Sequence, residues 1–359
     1  MATFSCKTEV IAGTGAIWEL SRMGIRRMLL VAAPFFCKTD VPEKIKRAAK
    51  ADQMEIFSDI KPDPTVELAA RGTAVLQAFC PDTVVALGGG SAIDCAKAMV
   101  YFSGKKIPLI AIPTTSGSGS EVTNFSVLTH DGVKHPLVDD SLLPKAAVLD
   151  ANLLTTLPKS LIADGGYDVV AHAVESFVAT EAGALSRAMA AEALSVAGEL
   201  LPRSFKGDTS VRLDIHLAAT MAGVAFSQSG LGLCHALSHA LGGQFHIPHG
   251  RLNAILLPSV IETNAAANGQ YASMARKAGL GGASDVQAVR NLKNALQHLR
   301  KDLDLPATLT QAGVSARQVN ERMQSLVAAT LSDPCISTNP VRIDGKTVEK
   351  VLRQVMGNG

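Results

Sequence analysis

The first 150 residues carry short strand-like apolar runs, at 28–33, 53–57, 83–87, 108–112 and 146–150, and the rest of the chain carries none. Helical patterns separate several of them, at 42–51, 65–79 and 91–102. Apolar runs without polar alternation need cover on both faces, which a parallel sheet flanked by helices provides. Two further segments, 125–129 and 134–138, flank Asp131-Gly132 and are expected to form a hairpin appended to that sheet. Beyond Asp150, Ala- and Leu-rich helical periodicity takes over at 186–201, 211–227, 286–303, 316–331 and 347–356. The expected fold is a Rossmann-like α/β domain over residues 1–155 followed by an all-α domain over 156–359, with the boundary near 152–158 and no internal repeat.

Composition removes several function classes. Lys+Arg 34 against Asp+Glu 32 leaves a net charge of +2, so no strong field favours nucleic acid or an anionic membrane. Aromatic residues make up 4% of the chain, too few for a base-stacking platform. Mean hydropathy is positive at +0.21, yet Gly, Pro, Ser or charge breaks each apolar run before about 18 residues, so no membrane span is expected. The start of the chain lacks a basic region followed by an apolar block, which reads as no secretory leader. Six cysteines without a CxxC pair fit reduced thiols better than a disulfide framework or a four-cysteine zinc site. The expectation is a cytoplasmic enzyme.

The run at 83–87 leads directly into Gly88-Gly89-Gly90-Ser91-Ala92-Ile93-Asp94. Glycines there let the backbone approach a ligand that a Cβ would exclude. Ser91 is placed to cap the following helix, with Asp94 completing an S-x-x-D arrangement, and such a helix start favours a phosphate. The motif is not GxGxxG, and a tight structural turn with a capped helix is the alternative reading. A second loop, from Pro113 through Thr114, Thr115, Ser118 and Thr123, follows the next strand, where open α/β sheets bind ligands. No Walker sequence is present, which disfavours nucleoside triphosphate hydrolysis.

Four of the nine histidines fall within residues 235–249. Asp168-Val-Val-Ala-His172 and His235-Ala-Leu-Ser-His239 each place two polar side chains four residues apart, on one helix face. His249 follows at a turn shaped by Pro248 and Gly250. One oxygen and three imidazole nitrogens suit Fe(II), Zn(II), Mn(II) or Co(II). Either pair alone is more often a hydrogen-bonded structural pair than a metal site. His130, His135, His216 and His298 stand apart and read as structural, His246 is set aside, and Cys234 reads as a buried thiol.

With these motifs the sequence resembles the iron-containing (group III) alcohol dehydrogenases, relatives of glycerol dehydrogenase and dehydroquinate synthase. The likeness rests on 88–97, 113–123, 168–175, 230–235 and His249-Gly250, and spans nearly the whole chain. Residues 222–228 and 241–249 resemble the propanol and ethanolamine-utilisation branch found in bacterial microcompartments. The resemblance implies a dehydroquinate synthase-like fold and an NAD(P)-dependent enzyme interconverting short-chain primary alcohols and aldehydes. It implies Fe(2+), with Zn(2+) as the alternative, held by Asp168, His172, His235 and His249. His239 then lies near the nicotinamide and substrate, where an imidazole can carry a proton. The pyrophosphate falls on Gly89, Gly90, Ser91 and Asp94, with further cofactor contacts at Asp63, Thr114, Thr115, Ser118, Thr123 and Lys134. Relatives that prefer NAD often carry an aspartate where this chain has Ala33. NAD is favoured here because no Arg or Lys adjoins Ala33, with NADP the alternative. The implied partners are a small alcohol or aldehyde, a second copy of the chain in a homodimer or larger assembly, and shell or lumen proteins of a microcompartment. A related diol dehydrogenase or lactaldehyde reductase, and a non-enzymatic nucleotide-binding scaffold, are the competing readings. A lyase of the dehydroquinate synthase type is disfavoured by the scarcity of basic residues around the His motifs.

Overall fold

The computed structural model describes residues 4–130 and 133–357. It divides between Leu157 and Pro158 into two compact units. In the first, the chain order is β1 (Glu9–Gly13), β2 (Arg27–Ala32), α1 (Val41–Ala49), β3 (Gln53–Phe57), α2 (Val66–Phe79), β4 (Thr83–Gly88), α3 (Gly90–Phe102), β5 (Leu109–Pro113), β6 (Phe125–His130), β7 (Val133–Val138) and β8 (Ala146–Asp150). Six strands form one parallel sheet in the order β1-β8-β5-β4-β2-β3.

Side chains alternate across this sheet, and both faces are buried. Met28, Leu30, Val85, Leu87, Ile110 and Val148 enter one core with Leu20 and Ile45. Leu29, Val31, Val84, Ala86 and Ala111 enter the other with Leu68, Leu76 and Ile93 of α2 and α3. This is why the strands read as continuous apolar runs. β1 and β3 are the exceptions: they lie at the two sheet edges, each pairs with one neighbour and keeps much of its length exposed, and β1 lacks the apolar signature altogether. β6 and β7 do form an antiparallel pair, but as a separate two-stranded sheet rather than an extension of the parallel one. Its Asp131-Gly132 turn lies outside the described residues. The pair is joined to the loop before α2 through Thr129 N, which donates to the Pro64 carbonyl at 2.8 Å.

The second unit has no strand among the described residues. Its α-helices are α4 (Lys159–Val178), α5 (Ala184–Phe205), α6 (Arg212–Ser229), α7 (Leu233–Phe245), α8 (His249–Thr263), α9 (Asn268–Lys277), α10 (Asp285–Asp302), α11 (Ala316–Glu321), α12 (Met323–Ser332) and α13 (Gly345–Val355). α4 packs against α5, α6 and α8, and residues 166–178 along it are all buried. A helix covered on every side must satisfy any polar side chain internally, so the polar residues of α4 are constrained. The helical pattern at 316–331 is broken rather than continuous. Arg322 leaves helical geometry at φ −107° and ψ 7°, and its guanidinium donates to the Gln244 carbonyl at 2.9 Å while covering the Phe245 ring. No single helix among the described residues is long and apolar enough to cross a membrane.

Candidate metal centre and nucleotide turn

β2 continues to β3 on one side, whereas β4 lies on its other side, so the strand order reverses between β2 and β4. Ligands of open α/β sheets bind at the carboxyl ends of strands at such a point. Gly88 ends β4 there with φ +156°, and a Cβ on it would stand 2.7 Å from Ala92 Cβ and 3.1 Å from Ala33 Cβ. The cap of α3 differs from the sequence expectation. Gly89, not Ser91, is the N-cap, and no side chain caps the helix. The first turn closes on the Gly89 carbonyl, which accepts from Ala92 N at 3.0 Å and Ile93 N at 3.3 Å, so Ser91 already lies inside the helix. An uncapped N-terminus at the switch point suits an anion.

Asp94 makes no cap either. Its carboxylate accepts from the Ser120 hydroxyl and from Val127 N, the latter at 3.0 Å, and ties α3 to the second loop and the hairpin. Burial pushes its carboxyl up, against the opposing charges of Lys97 and Lys134. The glycines serve the same join. A Cβ on Gly89 would stand 2.9 Å from Thr115 Oγ1, and one on Gly90 would stand 2.8 Å from Ser118 Oγ. The absence of a side chain at both positions leaves room for Thr115 and Ser118 of the second loop to pack against the turn. Thr114 N donates to the Gly88 carbonyl at 3.0 Å. Lys134 and Asp63 form an ion pair at 2.7 Å.

Sequence reasoning gave Lys97 no role. It is fully buried, and its Nζ donates to the Thr123 carbonyl at 2.7 Å, Thr123 Oγ1 at 3.0 Å and the Phe125 carbonyl at 2.8 Å. Burial pulls its ammonium down to about 8. Three acceptors match the three donors of the charged form, which is therefore the form that holds the Thr114–Thr123 loop at neutral pH.

In the second unit, α4 carries Asp168 and His172, α7 carries His235 and His239, and His249 opens α8 behind Pro248 as N-cap. His249 thus begins a helix rather than lying in a turn. Asp168 Oδ1 stands 3.9 Å from His172 Nε2, 3.9 Å from His235 Nε2 and 3.7 Å from His249 Nε2. These separations are too long for hydrogen bonds and suit donor atoms grouped around one cation. Ligand atoms of Asp168, His235 and His249 lie within 4.8 Å of one another. The rings stack in series: Phe226 on His172 at 4.4 Å, and His172 on His235 at 4.6 Å.

The surrounding residues orient this set. Glu175, one helical turn beyond His172, is buried and accepts from Gly232 N, Cys234 N and His235 N at 3.0, 2.7 and 3.2 Å. Burial pushes its carboxyl up to about 7. It also lies 2.7 Å from His235 Nδ1, which takes the proton and leaves a lone pair at Nε2. Burial holds His235 well below its ordinary pKa, so the ring is neutral. Its Nε2 is buried and makes no hydrogen bond, a costly state for a polar atom unless a cation meets the lone pair. Asn253 Nδ2 donates to Asp168 Oδ1 at 2.8 Å, and Asn253 Oδ1 accepts from Ser238 at 2.5 Å. His239 lies 2.8 Å from Asp333 and stacks on His249 at 5.0 Å. Burial raises the Asp333 carboxyl, but the hydrogen bond and charge of His239 outweigh it and hold the group below its ordinary value. Cys234 is a buried thiol, raised well above its ordinary value by burial, and His246 is the left-handed C-cap of α7.

Family models for the iron-containing alcohol dehydrogenases match residues 7–151, and those for the C-terminal part of the same family match residues 162–356. The chain belongs to the iron-containing alcohol dehydrogenase family. It is 38% identical to the 1-propanol dehydrogenase PduQ of Citrobacter freundii, covering 99% of this chain and 100% of that one. The iron-containing alcohol dehydrogenase of Thermococcus thioreducens superposes with a TM-score of 0.91 at 33% identity, covering 98% of this chain and 99% of that one. Sulfoacetaldehyde reductase from Bifidobacterium kashiwanohense, solved with NAD+, superposes at 0.90 with 25% identity and full coverage of both chains (100% and 100%). The enzyme is an oxidoreductase acting on the CH–OH group, and its family implies iron and a nicotinamide dinucleotide.

Replacing Lys97 by Met strands the Thr123 and Phe125 acceptors. NADH affinity, followed by fluorescence titration, should fall about tenfold or more while metal content is unchanged. Gly250 is the second constraint: a Cβ on it would stand 1.7 Å from the Asp164 carbonyl oxygen and 3.2 Å from Asp168 Cβ. Gly250→Val therefore forces α8 off α4, and elemental analysis should find the protein depleted of metal.

Proposed function

We propose that Asp168, His172, His235 and His249 hold a divalent cation, Fe(2+) with Zn(2+) as a substitute, and that the enzyme interconverts 1-propanol with propanal and ethanol with acetaldehyde. One observation carries this reading: a buried carboxylate oxygen within 3.7–3.9 Å of three imidazole nitrogens, one of them a buried lone pair without a hydrogen bond. When bound, the cation supplies Lewis-acid polarisation of the substrate oxygen, and the nicotinamide takes or gives the hydride.

The chain's own residues prepare these roles. Glu175 fixes the His235 tautomer, and Asn253 orients the Asp168 carboxylate. Three neutral imidazoles and one carboxylate would leave the divalent cation they hold roughly one net positive charge. His239 is the proton carrier, taking the alcohol proton during oxidation and returning it during aldehyde reduction. Gly89, Gly90, Ser91 and the uncapped start of α3 receive the pyrophosphate. Asp94 holds the strand and loops around it, and Thr114, Thr115, Ser118, Thr123, Asp63 and Lys134 complete the dinucleotide site.

The likeness to PduQ at 38% identity supports the short-chain substrate. The resemblance of residues 222–228 and 241–249 supports a cytoplasmic enzyme housed in a microcompartment and assembled as a homodimer or larger. NAD is the proposed cofactor. Ala33 Cβ lies against the Gly88 position and offers no carboxylate to repel a 2′-phosphate, which makes NADP the alternative.

Removing metal with a chelator should abolish propanal reduction, and Fe(2+) or Zn(2+) should restore it. His249→Ala should lower kcat by more than about a hundredfold, reflecting the loss of several kcal/mol of charge stabilisation. Full activity in metal-free protein contradicts the assignment. Ala33→Asp should lower kcat/KM with NADPH about tenfold or more and change that with NADH by less than about threefold. Equal effects on both cofactors would show that Ala33 does not face the ribose.

A further inference from the structure

His239 is held on an edge and on a face. Its Nδ1 lies 2.8 Å from Asp333 Oδ2, and its ring stacks on His249 with planes inclined at 19°. Asp333 is the N-cap of a short 3-10 turn, Pro334–Thr338, and its other oxygen accepts from Cys335 N at 2.9 Å. The Asp333 side chain is 13% exposed against 26% for His239, so the carboxylate is the more enclosed of the two. An ionised carboxylate only accepts, so the shared proton resides on His239 Nδ1 and the ring's lone pair is at Nε2.

We propose that Asp333 is a positioning residue for proton transfer, fixing the His239 ring and tautomer so that Nε2 is the atom that takes the alcohol proton. In oxidation the alcohol O–H bond breaks, its electron pair stays on oxygen, and an Nε2–H bond forms. The resulting imidazolium is stabilised by the Asp333 carboxylate, and the proton then leaves Nε2 for solvent. In aldehyde reduction the same proton moves the other way. The inference rests on the reading of His239 as proton carrier.

The decisive variant is Asp333→Asn in the full, iron-loaded enzyme. Its amide oxygen still accepts from Cys335 N, which preserves the turn, while its NH2 faces His239 Nδ1 and moves the ring proton to Nε2. The kcat for propanal reduction should fall about tenfold or more, with KM, NADH affinity and metal content within about threefold of the parent. Nitrogen-15 spectra of histidine-labelled, zinc-loaded protein should show His239 protonated on Nδ1 in the parent and on Nε2 in the variant. Formate should restore part of the rate to Asp333→Ala, and Asp333→Asn should have no further effect in a His239→Ala background. A parental kcat, an unchanged tautomer, absence of rescue, or an equal loss in the His239→Ala background each overturns the role of Asp333. A parental rate in His239→Ala itself overturns the proton-carrier reading on which it rests, and so distinguishes the two failures.

Discussion

The candidate metal centre of the helical unit is arranged around one buried carboxylate. Asp168 sits on a helix enclosed by its neighbours, and three imidazole nitrogens converge on its Oδ1 at 3.7–3.9 Å. Without a positive charge among them the group is unfavourable, because the buried His235 Nε2 lone pair loses its water and gains no hydrogen bond in return. The other contacts of the site follow from this constraint. Glu175 and Asn253 align the donors, Phe226 covers His172, and Gly250 lets α8 come close enough for His249 to reach Asp168. The ion pair between Arg251 and Asp164, at 3.0 and 3.1 Å, fastens the same junction. Exposure is one-sided: His235 is fully buried, whereas the His249 and His239 side chains are each 26% exposed.

The α/β unit applies a different device, in which small residues and a buried ammonium organise the loops. Gly89 and Gly90 admit Thr115 and Ser118, and Lys97 gathers the end of that loop through three hydrogen bonds. Asp94 links the helix that starts at the glycine turn to the hairpin. The loops are thus set by contacts within the protein, and a turn already organised in this way loses less ordering entropy to any ligand it takes.

What the sequence revealed depended on how local each signal was. Strands buried on both faces read as apolar runs, and the i, i+4 spacing of Asp168 with His172 and His235 with His239 placed each pair on one helix face. Glu175 extends the first series by i+7 and was open to the same argument, but a carboxylate on a helix carries no distinctive mark. β1 escaped notice because an edge strand need not be apolar, and Arg322 breaks a helix through tertiary contacts with Gln244 and Phe245. The expected Ser91 cap failed because the turn closes two residues earlier, on the Gly89 carbonyl. Asp333 lies 94 residues from His239, and no spacing rule connects them.

The account stands on the composition of the metal's coordination shell. X-ray absorption on anaerobic, iron-loaded protein measures it directly. The predicted result is one iron per chain, bound by imidazole nitrogens and a carboxylate oxygen, with sulfur absent from its first shell. Sulfur ligation, which would bring in Cys234 or Cys335, or a shell without imidazole, would contradict it.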